Sequence, residues 1–215
     1  MKTIVTYIRD FSIVVAGIAV TLYVNDKVTN QGEKRDLKLY LNTIKMELEE
    51  NTKEIDRAIE YLRPSVRYAD YLSSHTKDSM NRDTVKIYEN VFSSAKWFTF
   101  NTNAFDMFKT SGIMRLVDSK ELLLSIWDTY SSINLLKETL DLGFQMKYDE
   151  IKKITLLSKQ GDLDDAPLRG FFTDTNIIHT MFETSEETLK MINELISKLE
   201  KLEIKKQRIQ KNEDR

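Results

Sequence analysis

One stretch sets the frame for the hydrophobic pattern. Residues 11–24 read Phe-Ser-Ile-Val-Val-Ala-Gly-Ile-Ala-Val-Thr-Leu-Tyr-Val, with no charge among them. As helix they rise about 21 Å, short of a bilayer core of roughly 30 Å. Starting the helix at Ile4 brings it to about 31 Å but takes in Arg9 and Asp10. Eight strongly apolar residues (Phe11, Ile13, Val14, Val15, Ile18, Val20, Leu22, Val24) favour insertion by roughly 2.4–4.8 kcal/mol. A charge at the bilayer centre costs about 2.5–3.5 kcal/mol, so Arg9 and Asp10 must sit at an interface. A membrane-spanning anchor is the expectation. A cleaved signal is disfavoured, because Tyr23-Val24-Asn25-Asp26 stands where a small-residue cleavage site would be. A buried core helix is disfavoured because the run is apolar on every face. Gly17 and Thr21 form a small-xxx-small pair suited to close helix pairing in lipid. Lys2 and Arg9 precede the run, while Lys27, Lys34, Arg35 and Lys38 follow it among acids, which leaves the side of the body open.

Beyond a polar stalk at 25–32 the period changes. Leu37, Leu41, Ile44, Leu48, Asn51, Ile55, Ala58 and Leu62 are spaced 4-3-4-3-4-3-4, a heptad seam. Arg63-Pro64 is expected to interrupt it, with a helical piece resuming over 65–73. A loop over 73–83 and a helix over 84–92 follow. Ala95-Lys96-Trp97-Phe98-Thr99-Phe100 is densely aromatic. Asn101 or Asn103 can cap a short helix through Ala104, Phe105, Met107 and Phe108, ended by Gly112. Asp118 or Ser119 caps a long helix carrying Leu122, Leu123, Ile126, Trp127, Tyr130, Ile133, Leu136 and Leu140, with Gly143 its weak point. An acidic loop at 161–167 and a short helix at 173–182 lead to the last helix. There Thr184 and Glu187 form a capping box, and the seam is Thr188, Ile192, Leu195, Leu199, Leu202, Lys206 and Ile209.

The seamed helices, 33–62 and 185–210, each need a partner, and packing them antiparallel with the middle helices around them is the economical solution. The expected fold is all-α: an N-terminal transmembrane helix continuing through a stalk into an antiparallel helical bundle. Residues 1–32 form the anchor and stalk, and 33–215 the body. The scarcity of punctuation, two prolines and six glycines, agrees with long helices.

Composition removes much chemistry. The net charge of −2 supplies no field for nucleic acid. The absence of cysteine removes disulfides, thiolate nucleophiles and cysteine-held metals. The two histidines, His75 and His179, lack metal-site spacing. Glycine-rich phosphate loops and the nucleophile elbow are missing. Asp162, Asp164 and Asp165 lack the glycine and terminal glutamate of a calcium loop. No catalytic residue, cofactor or metal is expected. Glu47, Glu49, Glu50 and Glu54 read as the exposed face of the first seamed helix.

The run closing on Tyr23-Val24-Asn25-Asp26 and the stretch Asn103-Ala104-Phe105-Asp106-Met107-Phe108-Lys109-Thr110-Ser111-Gly112-Ile113-Met114, leading to Trp127-Asp128-Thr129-Tyr130, together resemble a bacterial family of one-pass membrane proteins of unknown function. The resemblance covers the first two-thirds of the chain. It departs in the short, scarcely basic N-terminal tail and in the Asn25-Asp26-Lys27 that replaces an aromatic after the anchor. It implies a single-pass protein of the bacterial inner (cytoplasmic) membrane and brings no activity.

The candidate sites are an aromatic ligand pocket of Trp97, Phe98, Phe100, Phe105 and Phe108, and a membrane-surface contact through Lys201, Lys205, Lys206, Arg208 and Lys211. The first function these readings support is a membrane-anchored, non-enzymatic helical module acting by association. Its partners would be the lipid bilayer and either a second copy or another membrane protein. The alternative is a tethered sensor whose helical body binds a small ligand and signals through the stalk.

Overall fold

In the computed structural model, backbone is described for residues 2–76, 79–87, 91, 95–160 and 176–213. Side chains are described mainly from residue 31 onward, to 153 on one side of the 161–175 stretch and to 204 on the other. The elements are α1 (Lys2–Ser74), α2 (Arg82–Ile87), α3 (Asn103–Thr110), a 3-10 turn (Ile113–Leu116), α4 (Lys120–Gln160) and α5 (Ile177–Glu213). No strand occurs among the described residues.

The seams fold as their spacing dictates. Leu37, Ile44, Leu48, Asn51, Ile55, Ala58 and Leu62 are all buried on α1, with Leu41 half-buried. Proline does not stop the helix. Pro64 is exposed on its outer side, while Ser65, Ala69 and Leu72 carry the same buried line onward for three more turns. Burial along those turns outweighs the roughly 3 kcal/mol that an internal proline costs.

The last helix also starts earlier than its capping box suggests. α5 begins at Ile177, directly after Asn176, whose φ is 48°. Thr184 and Glu187 therefore lie within a helix. Ile178, Met181 and Ser185 extend the seam backwards at 3-4-3 spacing into Thr188, and all four are buried. A continuous buried line again overrides a local signal.

Antiparallel packing of α1 on α5 is read from three cross-contacts. Lys45 bridges Glu200 at 3.0 Å, Arg63 stacks on Phe182, and His179 Nε2 lies 3.2 Å from Asp70 Oδ1. The α5 number falls as the α1 number rises. α4 runs antiparallel to α5 by the same test: Lys198 donates to Ser125 at 2.7 Å, and Ser132 pairs with Thr188 at 2.8 Å. The small hydroxyl side chains at that crossing let the helices approach closely.

Gly143 is a contact point within α4, and the helix runs through it unbroken. A Cβ there would strike the thioether of Met181 on α5. α1 and α4 make little direct backbone contact. Between them lie α3, the 3-10 turn and the extended segment 95–102.

Among the described residues, no helix is long and apolar enough to cross a membrane. The side chains of 11–20 and 22–24 fall outside the described residues, as do the acidic loop at 161–167 and the first part of the helix expected over 173–182.

Gly143→Leu should destabilise the bundle by about 1–3 kcal/mol through overpacking against Met181. Gly143→Ala should be nearly neutral, because helix propensity offsets the displaced thioether. Urea denaturation of both variants checks the contact.

Candidate functional site

The most constrained part of the molecule is the filler between α1 and α4. Segment 95–102 is extended and has no neighbouring strand among the described residues, so its backbone polar groups need other partners. α1 supplies them from one polar line at Glu47, Asn51 and Glu54, spaced four and three residues apart. The Asn51 amide is used twice: its Nδ2 donates to the Asn101 carbonyl at 2.8 Å, and its Oδ1 accepts from the Asn101 N–H at 2.9 Å. Glu54 Oε1 accepts the Thr99 N–H at 3.5 Å. Glu47 Oε2 accepts the Ala104 N–H at 2.7 Å, at the start of α3. Its other oxygen accepts the Tyr130 hydroxyl of α4 at 2.6 Å.

Glu47 is therefore 5% exposed, where the sequence pattern placed it with Glu49 and Glu50 on the solvent face. Asn51, buried in the seam, spends both ends of its amide on the Asn101 backbone. It works as a backbone surrogate for the strap. The cap of α3 differs as well. Thr102 occupies the N-cap without a side-chain bond, while Asn101 Oδ1 accepts the Asn103 N–H at 3.0 Å. Gly112, at φ 74°, lies just past the Ser111 C-cap of α3 and leads into the 3-10 turn from the left-handed region that favours glycine. Ser119 caps α4 through the Leu122 N–H.

The five aromatics proposed as a pocket are divided. Phe105 stacks on Tyr130 with centroids 4.3 Å apart and 5° between planes, and Trp127 meets its edge. Phe98 joins a second cluster with Tyr61 and Phe144. Phe98, Phe100, Phe105 and Phe108 are buried in the core. Trp97 is 55% exposed and packs its ring against Phe144. Segment 95–102 thus delivers alternate rings, Phe98 and Phe100, inward while its backbone is held by α1.

Beside the second cluster lies Lys147, 3% exposed on α4. Its Nζ is 3.4 Å from the Tyr61 hydroxyl and sits over that ring. Burial pushes its pKa down from 10.5 to about 8. Tyr130 is shifted the other way. Burial, then the Glu47 hydrogen bond, holds its phenol far above the ordinary value of 10.0. Tyr130 and Glu47 are tied to each other and to the backbone, which describes a structural clamp.

A groove of about 940 Å³ lies between α1 and α5, with Ile59 and Leu189 among its lining and Asp56, Arg63, Lys190 and Lys201 among its charges. Lys201 is exposed there. Lys205, Lys206, Arg208 and Lys211 have side chains outside the described residues. The Lys45–Glu200 register, carried down the antiparallel pair, sets the backbone of Lys211 level with Lys34. That is ten residues, about 15 Å, beyond Val24. No group of acidic and histidine side chains fit to hold a metal ion occurs among the described residues.

Comparison with protein-family models, with curated proteins and with solved structures finds no match.

Glu47→Ala should cost about 2–5 kcal/mol, because two buried donors lose their acceptor at about 1–3 kcal/mol each. Tyr130→Phe should cost less, and a double-mutant cycle should give a coupling of about 0.5–3 kcal/mol. Equal, additive losses would dissolve the clamp.

A pH dependence follows from the two shifted groups. Between about 8 and 10.5 the unfolded chain holds a proton that folded Lys147 has released, so stability rises with pH, by about 3 kcal/mol at most. Above 10.0 the unfolded phenol ionises while Tyr130 stays protonated in the fold, so stability falls. Lys147→Met should abolish the rise and leave the fall, as read from urea midpoints across the alkaline range.

Proposed function

We propose that the chain is a membrane-tethered helical module that acts by association and not by catalysis. The observation that carries this reading is the continuity of α1. One uninterrupted helix, Lys2–Ser74, contains both the apolar run at 11–24 and the buried seam that begins at Leu37. At 1.5 Å per residue its 73 residues extend about 110 Å. That exceeds what the bundle needs. A helix committed to the core at one end and charge-free and apolar at the other is suited to holding a folded body at a fixed distance from a bilayer.

The groups on the page fit association better than chemistry. Glu47, Asn51 and Tyr130 are consumed by the clamp. Large apolar side chains stand exposed outside it, among them Leu39 at 65% and Leu124 at 62%. These side chains are available for contact with a partner. The likeness of residues 11–26 and 103–130 to one-pass membrane proteins points the same way.

The test is sedimentation of the full chain with phosphatidylcholine vesicles, followed by alkaline carbonate extraction. The full chain should pellet and resist extraction. Ile18→Arg should move most of it to the supernatant, since an arginine at mid-run costs about 2.5–3.5 kcal/mol, close to the whole insertion gain. Wild-type chain left in the supernatant would end the reading.

A further inference from the structure

We propose that the partner in this association is a second copy of the same chain, paired in parallel through the outer face of α1; the proposal rests on the tether described above. At 100° per residue, Thr21, Gly32, Leu39, Thr43 and Met46 fall within about 60° of one another on α1, a line opposite the buried seam. Leu39 is 65% and Met46 64% exposed, and Thr43 is exposed between them. Gly32 has open space where a Cβ would stand, so no described atom covers the line there. Gly17, one turn before Thr21, lies at the same register. The line therefore runs from the anchor's small-residue pair into the body without leaving its face.

The face also offers a socket. A crevice of about 140 Å³ between α1 and α3 is lined by Leu39, Tyr40, Thr43, Ala104 and Met107. Met107 is 57% exposed at its rim. A leucine or methionine from a facing helix is the right size for it.

Three arguments select a like chain over another partner. A tether orients every copy the same way and at the same height, so this face meets itself across a two-fold axis along α1. Arg35 and Asp36, both exposed, stand on opposite flanks of the line, so each faces its opposite charge in the symmetry mate. The exposed area of Leu39, Met46 and Met107 is well below the ~1,200 Å² of a stable soluble interface. A pairing that weak persists where tethering raises the effective concentration, as it does for copies sharing one membrane.

The chain has no cysteine, so single introduced cysteines report contacts cleanly. Full-length Leu39→Cys and Met46→Cys chains, reconstituted in phosphatidylcholine vesicles and oxidised with copper phenanthroline, should each give a disulfide dimer. Leu135→Cys and Leu142→Cys, on the exposed stripe of α4, should give none. Adding Leu39→Glu should reduce the dimer formed through Met46→Cys about tenfold, equivalent to about 1.4 kcal/mol. Leu39 is a surface position, so the fold survives the change. Chain that pellets with the vesicles but cross-links only through α4, or not at all, overturns the pairing and leaves the tether standing. Chain that does not pellet overturns the tether and with it the parallel constraint on which the pairing is built.

Discussion

Everything in the body turns on how one unpaired stretch of backbone is satisfied. α1 and α4 lie parallel with few close backbone approaches; their side chains meet at Glu47–Tyr130 and Tyr61–Phe144, and an extended segment fills the space beside them. Extended backbone in a helical core has no strand to bond with. Burying its N–H and C=O groups unbonded would cost about 1–3 kcal/mol apiece. Glu47, Asn51 and Glu54 remove that cost from a single polar line on α1. Once the segment is held, Phe98, Phe100 and Phe105 have fixed places, and the aromatic packing on Tyr130, Tyr61 and Phe144 follows. The hydrogen bonds set position, and the rings fill the space beside the segment with apolar surface.

The same arrangement explains why buried ionisable groups are tolerated. Glu47 has a donor on each oxygen. Lys147 donates to the Tyr61 hydroxyl and lies over its ring, and burial lowers its proton affinity as well. The two solutions sit on either side of one filler segment.

The long-range architecture was legible because it is written as periodicity. The seam from Leu37 to Leu62 and that from Thr188 to Leu202 fold as spaced, and their antiparallel pairing follows from each needing a partner. Local punctuation misled where tertiary burial was stronger. Pro64 and the Thr184/Glu187 box both read as boundaries, yet buried positions continue past each. The clamp was not legible. Glu47 lies in an acidic run that looks solvated, and its partners come from positions 104 and 130, far away in sequence. Only the oddity of Asn51 in an apolar seam signalled that α1 had polar business inside. The aromatic stretch was found by composition, but its division into two packed clusters depends on which alternate rings the extended backbone turns inward.

Because α1 is a single helix from the apolar run at 11–24 into the core, the length of the segment 25–36 also fixes rotation. Inserting one residue between Val24 and Leu37 would turn everything above it by about 100°, while seven would restore the phase to within about 20°. Changes in the length of 25–36 therefore keep the two ends in phase only when they come close to whole helical turns, as seven, eleven or eighteen residues do. Any other deletion would leave both ends folded while rotating the outer face of α1 relative to the apolar run.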